Sequence, residues 1–294
     1  MAMINVMRRL IILSTIFFIP VTTSAEYALV ADYVIDGKSD DPLKNKVILV
    51  SGKKIVSIID IDAIPEKYTV INLPETTLMP GMVNAHEHPL LYQSDYQNGH
   101  LQASSAFKAL IGLKTLQRLL ASGWTSIRVM GDGDIYYANQ DIRKAIDRDM
   151  FLGPRLTGAA HYISITGGGG DINYLSPEQA VIADGLIADG PHEIRKAIRQ
   201  EIKFGSDWIK IMVTGAFMSV GDNPENVSFS PEELRAAVEE AARHNIPVAA
   251  HAHATEGINQ AVIAGVRSIE HGSFLSEESI DLMVEYGTYL VPTI

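Results

Sequence analysis

The chain has 294 residues, 47% hydrophobic and 20% charged, which is a globular composition and excludes wholesale disorder, collagen-like repeats and coiled-coil arrays. Asp plus Glu outnumber Lys plus Arg by 35 to 24, giving a net charge of −11, so a nucleic-acid partner is not expected, because phosphate binding needs clustered cations. Cysteine is absent, which removes disulfides, thiolate metal sites and a cysteine nucleophile.

Met1 to Ala25 reads as a targeting segment. Arg8 and Arg9 form a basic start, Leu10 to Ile19 is an apolar run closed by Pro20, and Thr23-Ser24-Ala25 offers small residues for cleavage. The run is about half of the ~20 residues a spanning helix needs. The expectation is an exported protein, periplasmic or secreted, with no membrane association after the segment is cleaved. Its removal takes away two arginines and no acid.

Residues 26–77 hold short Val-, Ile- and Tyr-rich runs at Tyr27–Ile35, Lys46–Val50, Lys54–Ile59 and Thr69–Leu73, punctuated by Asp36-Gly37 and Ser51-Gly52. They predict a small β-sandwich segment. From Leu78 onward, apolar runs alternate with amphipathic stretches. Strands are expected at Leu78–Ala85, Thr125–Met130, Arg155–Ala159, Trp208–Val213, Pro247–His251, Ser268–Glu270 and Thr288–Val291. Helices are expected at Ser104–Ala121, Gln140–Asp149, Pro191–Phe204, Pro231–His244, Glu256–Ala264 and Ser276–Tyr286. Ser230-Pro231-Glu232-Glu233 is a clear helix start. Regular alternation of this kind predicts parallel βα units and an α/β fold, a TIM-type (β/α)₈ barrel. Only about seven strands are present over 78–294, so the barrel is expected to be incomplete, cut before strand eight. Residues 161–190 and 214–229 are expected as long loops.

The histidines carry the chemistry. His86-Glu87-His88 ends the first barrel strand, and period-2 alternation places His86 and His88 on one face. His251-Ala252-His253 repeats the pattern at the fifth strand, and His271 follows the sixth. Barrel active sites lie at the C-terminal ends of the strands, and neutral imidazole is the commonest metal ligand. Lys210 sits within Trp208-Ile209-Lys210-Ile211-Met212, facing the same way as Trp208 and Met212. A buried lysine has a depressed pKa, and its neutral amine can take up CO₂ as a carbamate able to bridge two metal ions.

Together, Thr77 to His88, Lys210 in its Ile-Lys-Ile-Met setting, His251-Ala252-His253 and Ile269-Glu270-His271-Gly272 resemble the amidohydrolase superfamily. The match is to its imidazolonepropionase-like branch, which includes prolidase-type metal-dependent dipeptidases. The resemblance implies that His86 and His88 bind a buried metal, a carbamylated Lys210 bridges, and His251 and His271 bind a second ion. His253 takes a catalytic role outside the ligand set. Two divalent ions are implied, with zinc the default. The implied activity is hydrolysis of an amide-like C–N bond by a metal-activated water, in a dipeptide, an N-acyl amino acid or a cyclic amide. A mononuclear deaminase or imidazolone-ring hydrolase is one alternative, and a truncated metal-binding barrel without turnover is another.

Three departures from the family pattern stand out. Asn84 replaces the usual Asp before the first His. Gly169 occupies the position where these dipeptidases often carry a His. The eighth-strand Asp has no counterpart, leaving Asp132 or Asp171 as internal substitutes. The Gly-rich loop Thr166 to Asp171 reads as a flexible substrate loop. The chain as given is expected to be a weak catalyst that takes a small-molecule substrate and associates with itself through an open sheet edge.

Overall fold

The alternating burial of Glu26–Val34, with Ala28 and Val34 inside and their neighbours outside, gives β1 its one-sided character. The computed structural model describes residues 25–293, so the proposed targeting segment, all but Ala25, lies outside the described residues. β1 pairs antiparallel with β2 (Lys46–Ser51) and parallel with β4 (Thr69–Leu78), and β2 pairs antiparallel with β3 (Lys54–Asp60). The sheet order is β3-β2-β1-β4. Its core is small: Ala28, Val47, Leu49 and Tyr68. One sheet is present here among the described residues, not the expected sandwich, and several apolar residues such as Ile55 and Val70 remain exposed.

The chain separates into two units at Pro80 and Gly81. The expected strand beginning at Leu78 is therefore corrected. Leu78 closes β4, and the next strand, β5, spans Met82–Glu87. Pro80 has no amide to donate, and a side chain on Gly81 would collide with Thr125.

The second unit continues with α1 (Tyr96–Gln102), α2 (Ser105–Ala121), β6 (Trp124–Met130), α3 (Ala138–Asp147) and β7 (Arg155–Ala159). Next come β8 (Tyr162–Ser164), β9 (Leu186–Ile187), α4 (Gly190–Phe204), β10 (Ile209–Met212) and α5 (Pro231–Ala242). It ends with β11 (Val248–Ala252), α6 (Thr255–Ala264), β12 (Ser268–His271), α7 (Glu277–Tyr286) and β13 (Tyr289–Val291).

All strand pairs in this unit are parallel, in a three-stranded sheet β5-β6-β7 and a six-stranded sheet β13-β12-β11-β10-β8-β9. The chain steps from one sheet to the other between β7 and β8, at Ala160 and His161. His161 holds that corner: its Nδ1 lies 2.6 Å from Glu201 Oε1 and its Nε2 2.6 Å from the Asp134 carbonyl. The sheets do not close into a ring among the described residues: β5 does not pair with β13, and β7 pairs with no strand of the six-stranded sheet.

Alternation sorts the side chains into two layers. Ile209, Ile211 and Val213, with Val248, Ala250 and Ala252, pack outward against Ile198, Leu234 and Ile258 of the helices. Ile127, Val129 and Leu156 pack against Leu116 and Ile142 in the same way. The inward set contains the polar residues: Arg128, Lys210, His251, His253 and Glu270. The short strands β8 and β9 interrupt the first segment expected as a loop, and helix α1 lies where no element was expected. Thr214 and Val227 form an isolated bridge across the second expected loop. No described helix is long and apolar enough to cross a membrane.

Candidate metal centre

His86, His88, Lys210, His251, His253 and His271 line one cavity of about 360 Å³ at the C-terminal ends of the parallel strands. Each arrives there by a different local device. His86 and His88 are alternate residues at the end of β5, and Asn84 braces them. Asn84 Oδ1 accepts from the His86 amide at 3.0 Å, and its Nδ2 donates to Glu87 Oε2 at 2.8 Å. His251 in β11 and His253 immediately after it line the cavity with the same two-residue spacing. His271 reaches the cavity differently. Its φ of 73° turns the backbone at the end of β12, so it departs from the alternation that points Glu270 inward. The left-handed turn continues through Gly272, at φ 64°.

Hydrogen bonds fix the ring nitrogens on the His86–His88 side. His88 Nδ1 lies 2.5 Å from the Gly131 carbonyl, which can only accept, so this nitrogen carries the proton. His86 Nδ1 lies 2.7 Å from Glu270 Oε2 and donates to it. In the neutral rings both Nε2 atoms are then lone-pair donors, and they face each other at 3.0 Å. Two lone pairs at that separation repel unless a cation or proton lies between them, so this donor set suits a metal ion. On the other side, His251, His253 and His271 each offer a nitrogen, all within 4.8 Å of one another, a second group able to hold an ion.

The protonation states agree with this chemistry. Burial, reinforced by Lys210, holds His86 and His251 far below the usual imidazole range and lowers His88 and His253 to about 4. The same causes lower His271 to about 2. All five rings are therefore neutral bases near pH 7. Lys210 is 1% exposed, and burial depresses its amine to about 8, against the opposing pull of Glu270.

The cavity wall comes from the start of α1 and from two loops, around Gly169 and around residues 217–219. Tyr96 OH lies 2.9 Å from Ser219 Oγ, and Ser219 donates in turn to the Gly169 carbonyl at 2.7 Å. Gln97 Nε2 donates to the Asp171 carbonyl, and Gln97 Oε1 accepts from the Val220 amide. Phe217, 62% exposed, stands at the mouth with its ring 4.6 Å from that of His253.

Gly169 is not a vacancy left by a lost side chain. A Cβ there would press on Met212 Cε at 3.0 Å and Asp222 Oδ2 at 3.2 Å. The glycine-rich loop is also not free. Gly170 N donates to Ser164 Oγ, Gly167 N to Asp171 Oδ2, and Gly185 N to the Gly170 carbonyl.

The fallback acids are likewise committed elsewhere. Asp132 accepts from the Leu90 amide and from Asn139, and Asp171 from the Gly167 and Ile172 amides. Neither lines the cavity, and no carboxylate does so among the described residues. Sequence reasoning missed Glu270 and Arg128. Glu270 lay inside a recognised motif, and its placement two residues after Ser268 on one strand face was the available signal.

Comparison with known proteins agrees with this geometry. The Amidohydrolase family profile matches residues 77–294. A curated relative, the ochratoxinase of Aspergillus niger, is 32% identical over 310 aligned positions, covering 99% of this chain and 62% of that protein. A crystal structure of a Xaa-Pro dipeptidase with bound methionine in the active site superposes with a TM-score of 0.83. It has 34% identity and covers 92% of this chain and 67% of that one. A prolidase complexed with N-methylphosphonate-L-proline gives a TM-score of 0.82 at 29% identity, covering 92% and 66%. The chain thus spans about three-fifths of the length of the curated relatives it matches. Together they establish an α/β fold of the TIM type, and this chain belongs to the amidohydrolase family, on its prolidase-type branch.

Proposed function

We propose that this chain carries the two-metal centre of a hydrolase that cleaves an amide C–N bond in a dipeptide, an N-acyl amino acid or a cyclic amide. The observation that carries the reading is the convergence of five neutral imidazoles and one buried lysine of lowered basicity on a single cavity. The names of the relatives, an ochratoxinase, a Xaa-Pro dipeptidase and a prolidase, support the bond type.

His86 and His88 would hold the first ion, and His251 and His271 the second. Lys210, as its carbamate, would lie between them. Zinc suits this nitrogen- and oxygen-rich set. When bound, such ions polarise a carbonyl and bring a water's pKa toward neutrality. The chain's own residues do the rest. Gly131 and Glu270 fix two tautomers, and Phe217, Met218 and Leu91 keep the mouth apolar. His253 stands beside the second group of ligands with Nδ1 2.8 Å from Ser273 Oγ. Its basicity is lowered to about 4, so it serves as a ligand or a hydrogen-bond partner for substrate, not as a store of protons near pH 7.

A mononuclear deaminase site would leave Lys210 without a role in the cavity it lines, and Ala254 stands where such a site carries its Glu. The test is a panel of dipeptides and N-acyl amino acids, assayed with zinc, with and without bicarbonate. Hydrolysis that needs the metal and rises with bicarbonate is expected. Deamination of an aminated heterocycle, with no amide hydrolysis on the panel, would overturn the proposal.

A further inference from the structure

Glu270 is fully buried, and each of its oxygens is engaged twice. Oε1 accepts from Arg128 Nη2 at 2.7 Å and from Ser268 Oγ at 2.6 Å. Oε2 accepts from Arg128 Nη2 at 2.9 Å and from His86 Nδ1 at 2.7 Å. Arg128 comes from β6, with its neighbours Ile127 and Val129 turned outward into the helix-facing core. Its Nε donates to the Ala85 carbonyl of β5 at 2.6 Å, and its guanidinium carbon lies 4.5 Å from the centre of the Trp208 ring. Strands β5 and β12 are not neighbours in either sheet. This pair therefore ties them across the interior, directly behind His86.

A purely structural ion pair would need only Arg128 and Ser268. The contact with His86 adds something else. It puts a proton on Nδ1 and so leaves Nε2 as a lone pair facing the cavity. The opposite tautomer has a ready partner. His86 with its proton on Nε2 would donate to His88 Nε2, 3.0 Å away, and that internal hydrogen bond would consume both lone pairs.

We propose that Glu270 and Arg128 are positioning residues for the buried half of the metal centre: Glu270 selects the tautomer of His86 that can bind metal, and Arg128 holds Glu270 in place. The proposal rests on the metal-dependent reading given above. It makes Glu270→Gln a sharp probe of nearly unchanged shape. Arg128 Nη2 donates to both oxygen positions, and the glutamine keeps its single oxygen at Oε1, the shorter Arg128 contact at 2.7 Å against 2.9 Å and the one shared with Ser268. The amide NH₂ then faces His86 Nδ1 and drives the ring to the other tautomer.

Two measurements on the purified protein test this. The first is ¹⁵N NMR of the histidine side chains in metal-free protein, with the His86 signal assigned by its loss in His86→Asn. Wild type should show Nδ1 protonated, and Glu270→Gln should show Nε2 protonated. The second is zinc affinity by calorimetry, expected to fall about 10–100-fold in Glu270→Gln with an unchanged circular dichroism spectrum. An unchanged tautomer together with unchanged zinc affinity would overturn the proposal while wild type still binds zinc. Wild type that takes up no zinc would overturn the metal-dependent reading, and this proposal with it.

Should Glu270→Gln fail to fold, the double variant Arg128→Met/Glu270→Leu removes both members of the buried pair, leaves no unpaired charge and leaves His86 Nδ1 with no acceptor. It should fold and show the same loss of affinity. Wild-type affinity in that variant would overturn the proposal.

Discussion

Lys210 combines burial with a basicity low enough for its amine to be partly neutral near pH 8. Lys210→Ala should leave the two histidine groups in place but remove the amine that lines the cavity with them. Metal affinity is expected to fall at least about 10-fold and hydrolysis further still, measured by calorimetry and by the dipeptide assay. Lys210→Arg should not rescue either property, because a guanidinium cannot take up CO₂ and stays charged.

The histidines give a pH prediction for the metal-free protein. Their folded pKa values are depressed, to about 4 for His88, while the unfolded values lie near 6.5. Between those limits the unfolded chain binds more protons, so stability falls as pH falls from about 6.5 toward 4. The limiting slope is about 1.4 kcal/mol per pH unit for each such ring. Denaturant melts at pH 7.5 and pH 5 should show it, and equal stability at both would contradict the burial argument. At this scale much was legible in the sequence, because alternation along a strand assigns a face without knowledge of the fold. His86, His88, Lys210, His251 and His253 were all placed that way. The tautomer-setting contact of Glu270 was not, since it joins residues far apart in the chain. Nor was the turned backbone of His271, or the tight packing around Gly169.

The helices were read from their ends. Ser230 accepts from the Glu233 amide, and Glu233 returns a bond to the Ser230 amide, a complete capping box. Glu233 also accepts from the Gly190 amide, so it links the start of α5 to the start of α4. Ser230→Ala should cost about 1 kcal/mol of stability, and Glu233→Ala should cost more because it frees two amides. Chemical denaturation of both variants checks the order, and a larger loss for Ser230→Ala would contradict it. Short or irregular elements escaped the sequence. Helix α1 carries a glycine and has no apolar periodicity, yet it brings Tyr96 to the cavity wall and Gln97 to the loops that hold it. Strands β8 and β9 are too short to leave a pattern. Leu78 was assigned to the wrong strand because the apolar run continues through the break at Pro80 and Gly81, where the cause is a contact with Thr125.

Across the whole second unit, the division of labour follows from parallel strands alternating between an apolar outer face and a polar inner one. The outer face supplies cohesion through Ile, Leu, Val and Ala. The inner face concentrates neutral bases, one buried lysine and the Arg128–Glu270 pair. The α/β class was legible because strand and helix alternate along the chain; the full strand order was not, because β8 and β9 were not among the seven expected strands. The division into a three-stranded and a six-stranded sheet was not, because it depends on the corner at His161 and its bonds to Glu201 and Asp134. A molecule built this way gathers lone pairs that metal ions can satisfy, so on the proposed reading metal should stabilise the folded state by mass action. At 100 times the dissociation constant the gain is about 2.7 kcal/mol, visible as a raised Tm that a chelator reverses. The most direct test of the account is to count the metal. After dialysis against zinc in bicarbonate buffer, the protein should hold about two ions per chain, and His86→Asn/His88→Asn should hold about one. No bound zinc, or the same content with His86 and His88 replaced, would contradict it.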